Sequence, residues 1–209
     1  MLRARQQVTA RDVDGALLTM KGILDQVPGN ADAWKLQGDI LLYARGQADE
    51  ALASYKKSTE VSPQYVMGHL AVLALVLQRN ELQEASARVK TLQQIAPNNL
   101  EFKYSKAQLA YKTKDYKLAR DLSRELLRIA SNNPQFLQLA GAVELQTNTL
   151  SQAEIYLLRA AQAEPQNMLT QRLLVTTYLR SGQHAKALEA LKAATGKNGL
   201  DPSFYALAA

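Results

Sequence analysis

The sequence predicts an all-α fold, a solenoid of about six helix-turn-helix pairs. Three observations predict it. One alanine recurs at a nearly constant spacing, a helix breaker follows each alanine at a fixed distance, and apolar residues between them recur at helical spacing. Internal repeats with periods of roughly 20–50 residues are typical of stacked helix pairs.

The alanine spacings are 35, 34, 34, 34 and 34 residues, and a helix breaker stands twelve residues after each alanine. The single spacing of 35 predicts one extra residue, which we place in the turn near "ARGQADE". The alanines are Ala16, Ala51, Ala85, Ala119, Ala153 and Ala187, and the breakers are Pro28, Pro63, Pro97, Ser131, Pro165 and Gly199.

Each repeat is interpreted as a helix A, a short turn and a helix B. Helix A of the second repeat is "ADAWKLQGDILLYA", and proline ends helix B because it has no backbone N–H to donate. The alanine is expected where helices A and B cross closely, since a larger side chain there would cost about 1–3 kcal/mol through overpacking. The first repeat has only a short helix A, over 2–10.

We therefore expect one solenoid over 1–209, with a short C-terminal helix from "DPSFYALAA" capping the last pair. The predicted repeats cover 1–30, 31–65, 66–99, 100–133, 134–167 and 168–201, and the C-terminal helix covers 202–209.

The second repeat combines a 34-residue helix-turn-helix pattern with Trp34, Gly38, Ala51, Tyr55 and Pro63. This pattern resembles the tetratricopeptide repeat (TPR) family. The resemblance covers nearly the whole chain. It implies a right-handed superhelix whose concave wall is formed by the A helices and binds protein partners.

A narrower resemblance covers 139–191, "LAGAVELQTNTLSQAEIYLLRAAQAEPQNMLTQRLLVTTYLRSGQHAKALEAL". This stretch is similar to the TPR lipoproteins of bacterial PEP-CTERM/exosortase sorting and exopolysaccharide export. The resemblance implies an internal fragment of a periplasmic or membrane-anchored protein, because those proteins carry a lipidated cysteine and this chain has none. Without it, we expect a cytoplasmic protein.

Composition excludes several classes of protein. There is no cysteine, so disulfides and cysteine-ligated metals are excluded. The N-terminus has no apolar stretch of signal-peptide length, and the chain as given is expected to be soluble. The longest apolar run, 70–77, is too short for the ~20 residues of a transmembrane helix. It predicts helix A of the third repeat, with Val72, Leu73, Leu75 and Val76 in the core.

Catalytic residues are scarce. His69 and His184 are the only histidines; His69 is expected at a helix packing position and His184 in a solvated turn. No zinc-protease, nucleophile-elbow or phosphate-loop motif occurs. The sequence therefore predicts no enzyme, no cofactor and no metal site.

By the resemblance, five positions of each helix A face the concave groove and would hold a peptide or partner helix. The candidate binding residues are Lys35, Asp39, Met67, Leu70, Ala74, Leu77, Tyr104, Gln108, Tyr111, Lys112, Gln138, Arg172 and Thr176. The other residues in the same phase are Asp32, Leu42, Tyr43, Gln78, Glu101, Gln135, Ala142, Leu145, Gln146, Leu169, Leu179 and Arg180. The first docking patch to consider is Met67, Leu70, Ala74 and Leu77, beside Tyr104.

Two other functions stay open. The segment could be a structural spacer or oligomerisation module of a longer array, and the sequence does not indicate an oligomeric state. The basic stretch 98–131, with eight Lys or Arg against four Asp or Glu, could bind an acidic polymer. We expect no nucleic-acid partner. The carboxylate clamp of chaperone-binding TPR domains is absent, since Asp39 replaces its asparagine.

Overall fold

The computed structural model describes residues 1–195, with side chains to residue 192. This part of the chain contains twelve α-helices, one π-helical segment and no strand. The helices are α1 (Leu2–Thr9), α2 (Val13–Gln26), α3 (Ala31–Asp39), α4 (Ala48–Val61), α5 (Val66–Gln78), α6 (Leu82–Ile95), α7 (Leu100–Lys112), α8 (Tyr116–Ile129), α9 (Pro134–Gln146), α10 (Leu150–Ala163), α11 (Met168–Arg180) and α12 (His184–Thr195). The π-helical segment, Ile40–Ala44, directly follows α3.

Two compact units make up the chain, Met1–Ser105 and Lys106–Ala209, with the boundary inside α7. In the first unit α1 packs on α2, α3 on α4, and α5 on α6. In the second, α9 packs on α10 and α11 on α12. The all-α class and its helix pairs are thus confirmed, while the predicted repeat boundaries stay predictions. The predicted helix over 202–209 lies outside the described residues.

All six repeat alanines are buried, between 0% and 3% exposed. Close approach of helices A and B explains why small residues stand there. A Cβ added to Gly38 would lie 2.5 Å from Cε1 of Tyr55, and one added to Gly141 would lie 2.5 Å from Cγ of Leu157. Each glycine leaves room for a large side chain of helix B, which then fills the space between the paired helices.

Every turn from helix A to helix B contains one residue with positive φ, between 60° and 73°. These residues are Arg11, Gly46, Asn80, Lys114, Asn148 and Gly182. Glycine and asparagine adopt this left-handed conformation most readily. Because the turn has the same form in all six pairs, it does not contain the extra residue, and that prediction is wrong.

The extra residue lies inside helix A of the second pair. A π-helix adds one residue to a turn of α-helix, and Ile40–Ala44 is π-helical. The combined helix therefore runs over 31–44, one residue longer than α5, and enters an ordinary turn at Arg45. The insertion leaves Tyr43 81% exposed near the end of this helix.

The apolar run in α5 is mostly core, as predicted for Val72, Leu73, Leu75 and Val76, all at most 3% exposed. The structure contradicts the prediction for Leu70 and Leu77. They are only 1% and 3% exposed, so they do not face a groove. Positions 142 and 145 on α9, also assigned to the groove, are buried at 6% and 2%.

The exposed stripe of α5 explains the error. Met67, Ala71, Ala74 and Gln78 are exposed or half-buried and follow a spacing of four, three and four. At about 100° per residue, Leu70 and Leu77 lie about 60–80° around the helix from this stripe, where neighbouring parts of the protein cover them. Within residues 1–195, no helix is long and apolar enough to cross a membrane.

Candidate binding groove in the first compact unit

A cavity of about 490 Å³, called cavity 1, lies in the first compact unit between the α3–π helix and α5. Most of its lining residues belong to two of the predicted A helices. Four of the predicted binding residues line it together, namely Lys35, Asp39, Met67 and Ala74. The other lining residues are Leu42, Tyr43, Tyr55, Ala71, Leu75, Gln78 and Glu101.

The polar part of cavity 1 is built around Asp39. Its Oδ2 receives a charged hydrogen bond from Lys35 Nζ (2.7 Å), and its Oδ1 accepts one from the Tyr55 hydroxyl (3.0 Å). Burial of Tyr55, together with the negative charge of Asp39, raises the pKa of the phenol far above its usual value, so it stays a donor. The negative charge of Asp39 is therefore paired with Lys35, and the two contacts fix the position of the carboxylate.

A second cavity of about 250 Å³, called cavity 2, lies between α1 and the α3–π helix. Asp39 and Tyr43 line both cavities, so the two adjoin; together they are called the binding groove. Cavity 2 is largely apolar, with one basic side chain. Its remaining lining residues are Arg5, Val8, Leu36, Ile40 and Ala44.

Two large apolar or aromatic side chains at the groove are exposed to solvent. Tyr43, between the cavities, is 81% exposed, and Met67, beside cavity 1, is 45% exposed. A tyrosine offers a rigid apolar ring with a polar tip, and methionine adapts to irregular partners. Both kinds of side chain are common in the contact surfaces of protein complexes.

The sequence did not identify three residues of cavity 1: Tyr55, Ala71 and Leu75. Tyr55 belongs to helix B, and its hydroxyl reaches the cavity only because Gly38 lets the ring approach α3. Ala71 could have been found from the four-three-four spacing of weakly apolar residues along α5. Leu75 is 3% exposed and forms part of the cavity floor.

Candidate residues outside the groove have other surroundings. The Gln138 amide donates to Asn167 Oδ1 (3.0 Å) and to the Thr170 hydroxyl (2.6 Å), which ties α9 to the start of α11. The Thr176 hydroxyl donates to the Arg172 carbonyl (2.8 Å), while the Arg172 side chain is exposed. These contacts give Gln138 and Thr176 a structural role within the second compact unit.

The candidates on α7 are exposed to different degrees. Lys112 is exposed, and Tyr104, Gln108 and Tyr111 are half-buried. In the second compact unit the Tyr111 ring packs against Tyr116, with centroids 5.9 Å apart, and burial raises the Tyr111 pKa. A role of these residues in binding stays a prediction.

Both histidines have environments that explain them without catalysis. His69 is 5% exposed; its Nε2 lies 2.8 Å from the Pro63 carbonyl and its Nδ1 lies 3.2 Å from an Arg88 nitrogen. Burial lowers the His69 pKa, so the neutral ring donates to Pro63 and accepts from Arg88. His184 is exposed at the start of α12.

Part of the basic stretch is neutralised within the fold. Arg120 contacts Glu144 at 2.7 Å, and Arg124 lies 3.8 Å from the same carboxylate, whose side chain is 4% exposed. These two guanidinium groups therefore serve α8–α9 packing as well as surface charge. Binding of an acidic polymer by this stretch stays a prediction.

The family model described as "Tetratricopeptide repeat" matches residues 1–66 and 75–134, together more than half of the chain. No curated protein is significantly similar to the chain in sequence.

Many solved structures share the fold. PilW, titled a widely conserved type IV pilus biogenesis factor, has a TM-score of 0.82 at 16% identity, covering 100% of this chain and 96% of PilW. PilF of Pseudomonas aeruginosa has a TM-score of 0.67 at 17% identity, covering 82% of this chain and 78% of PilF. YrrB, titled a TPR protein with an unusual peptide-binding site, scores 0.61 at 17% identity, covering 84% and 90%. At these identities the likeness shows the fold alone.

Proposed function

Because this chain belongs to the tetratricopeptide repeat family, we propose that it is a non-catalytic protein–protein interaction scaffold whose binding groove holds a peptide segment of a partner. Proteins of this family generally bind peptides or proteins and act as non-catalytic scaffolds. The single observation that carries the proposal is cavity 1, where two helix A faces leave a partly apolar space beside the Asp39 carboxylate held by Lys35.

The groove suits a peptide better than a small molecule. It consists of two adjoining cavities, about 490 and 250 Å³, separated by an exposed tyrosine. A peptide places successive side chains in successive pockets and excludes water from the aromatic ring between them. Tyr43 is therefore the expected anchor on this chain, and Ala71 and Ala74 leave room for a partner's apolar side chain.

The test is selection of random phage-displayed peptides on the full-length chain, followed by titration of the selected synthetic peptides. Two variants probe the groove: Tyr43→Ala removes the exposed ring, and Ala74→Glu places a charge in cavity 1. Their matched controls lie on helix B surfaces of the same compact unit, Leu18→Ala (72% exposed wild-type side chain) and Ala53→Glu.

Each groove variant is expected to weaken peptide binding about tenfold or more, as truncation of a central aromatic anchor does in other interfaces. The control variants should bind with wild-type affinity. Equal affinity for all four variants would reject the groove as the binding site. Failure to select any peptide would favour the alternative role as a spacer or oligomerisation module of a longer array.

A finer proposal concerns the cellular process. We propose assembly of a bacterial envelope system, of the exopolysaccharide or PEP-CTERM sorting kind, as the setting of the scaffold. The resemblance of 139–191 supports it, and PilW, a pilus biogenesis factor, is similar in fold. Fractionation of cells that produce the natural protein tests it: recovery with the envelope is expected, and recovery only with cytosolic proteins would reject it.

A further inference from the structure

We infer that the binding groove takes a peptide segment with opposite charges on the two sides of an apolar centre: an acidic residue near Arg5, apolar residues around Tyr43 and a basic residue near Glu101. This inference rests on the proposed function, because it specifies the partner of the same groove. It adds the partner's charge pattern, which neither the family nor the fold provides.

The two ends of the groove carry opposite charges. Arg5 lines cavity 2 and Glu101 lines cavity 1, and each is absent from the lining of the other cavity. Tyr43 and Asp39 line both cavities, so they lie between the two ends. The order along the groove is therefore cation, tyrosine ring, anion.

The charges in the middle are already paired. Lys35 and Asp39 form an ion pair of 2.7 Å, and the second Asp39 oxygen accepts from Tyr55. Asp32 is not among the lining residues of either cavity, and its carboxylate accepts a hydrogen bond from the Tyr65 hydroxyl. Among the described residues, neither Arg5 nor Glu101 forms an ion pair. Among the charged residues that line the groove, these two are therefore the ones without an ion-pair partner.

Reversing the peptide would place like charges together at both ends. A single exposed ion pair changes affinity by only about two- to fivefold. The binding free energies of two pairs at opposite ends add, and replacing attraction by repulsion at an end about doubles the change in free energy there. The apolar contacts around Tyr43 are insensitive to direction, so affinity comes from the ring and orientation from the end charges. Such an arrangement also predicts that salt weakens the orientation preference.

The experiment uses the peptides selected on the full-length wild-type chain and repeats the selection on Arg5→Glu and Glu101→Lys. Matched charge-reversal controls are Arg3→Glu on the same helix as Arg5 and Glu60→Lys on α4; both wild-type residues are exposed outside the groove. The affinities of synthetic peptides, and of copies in which both end residues are basic or both are acidic, are then measured on every variant.

Wild-type selection should enrich peptides that carry an acidic residue on one side of an apolar centre and a basic residue on the other, in either order along the sequence. A peptide with two basic end residues should bind the wild type about fivefold more weakly and should regain affinity on Arg5→Glu; one with two acidic end residues should behave likewise with Glu101→Lys. The control variants should select the wild-type charge pattern.

Peptides that depend on Tyr43 but show no such charge pattern would overturn this inference and leave the proposed function standing. Peptides that bind equally to the Tyr43→Ala variant would overturn the proposed function itself. An unchanged charge pattern in the Glu101→Lys selection would also overturn the inference, even with wild-type affinity retained.

Discussion

The Tyr55 hydroxyl donates a hydrogen bond to Asp39 Oδ1 over 3.0 Å and thereby joins α4 to the end of α3, where cavities 1 and 2 meet. Lys35 holds the other oxygen of the same carboxylate at 2.7 Å. The contact depends on Gly38, since a side chain at this position would occupy the space of the Tyr55 ring. The shape of the groove therefore depends on a helix B residue.

Replacement of Tyr55 by Phe should lower the free energy of unfolding by about 1.5–3 kcal/mol. The half-buried Asp39 carboxylate loses a donor, and hydrogen bonds to charged groups contribute about 1.5–3 kcal/mol in other proteins. Urea unfolding followed by helical circular dichroism measures the change. Tyr156→Phe, at a half-buried tyrosine of α10, is the control and should change stability little. Equal effects of the two substitutions would contradict the role of the Asp39 contact.

Two glycine substitutions should act in opposite directions. Gly38→Ala places a Cβ 2.5 Å from the Tyr55 ring and should destabilise the protein by about 1–3 kcal/mol through overpacking. Gly22→Ala, inside α2 with no atom within 4 Å of the added Cβ, should stabilise it by about 0.5–1 kcal/mol. Thermal unfolding of the two variants gives the comparison. Stabilisation by Gly38→Ala would show that the helices are not in close contact there.

Deletion of Leu41 should convert the π-helical segment to α-helix and preserve the fold. Leu42 then takes the place of Leu41, and Tyr43 shifts to the position that corresponds to the buried Leu77 of α5, about 100° around the helix. Circular dichroism should show unchanged helicity, whereas peptide affinity should fall about as much as in Tyr43→Ala. Wild-type affinity in the deletion variant would show that the π-helical insertion does not present Tyr43 to the partner.

The free energy of unfolding should decrease as the pH is lowered through the range in which His69 becomes protonated. Burial lowers the His69 pKa and the nearby Arg88 charge lowers it further, although the Pro63 hydrogen bond opposes the shift. Below about pH 6.5 the unfolded chain therefore binds a proton that the folded chain resists, so stability is complete above this pH and decreases as pH falls towards the lowered pKa.

Urea unfolding between about pH 7.5 and about pH 5.5 measures this dependence. The slope should be smaller in His69→Gln and unchanged in His184→Gln, where the wild-type histidine is exposed. Burial raises the pKa of the neighbouring Glu84, but Lys56 and Arg88 lower it by more. Glu84 therefore becomes protonated only at a pH below the measured range. Identical slopes in both variants would contradict the assignment to His69.

The periodic features of the sequence predicted the fold because each follows from a local requirement. Ala51 and its five counterparts recur since helices A and B touch at that point in every pair, and all six are buried. The spacing of 35 residues correctly revealed an insertion. It did not show where the insertion lies, because a π-helical segment and a longer turn change the alanine spacing equally.

The groove was only partly predictable because exposure depends on neighbouring helices. Met67 and Ala74 were assigned to it by position and line cavity 1, but Leu70 and Leu77 are buried. Gln138 also illustrates this limit, since its amide is occupied by Asn167 and Thr170, which lie about thirty residues away in sequence. No periodicity within a single helix reports such contacts.

The most direct test of the groove is a nitrogen-15 NMR titration of the full-length chain with a peptide selected on it. We predict that backbone amide shifts concentrate in the two segments that line the groove, 35–44 on the α3–π helix and 67–78 on α5. Shifts confined to the B helices α4 and α6, or to α8–α12, with none in these two segments, would contradict the account.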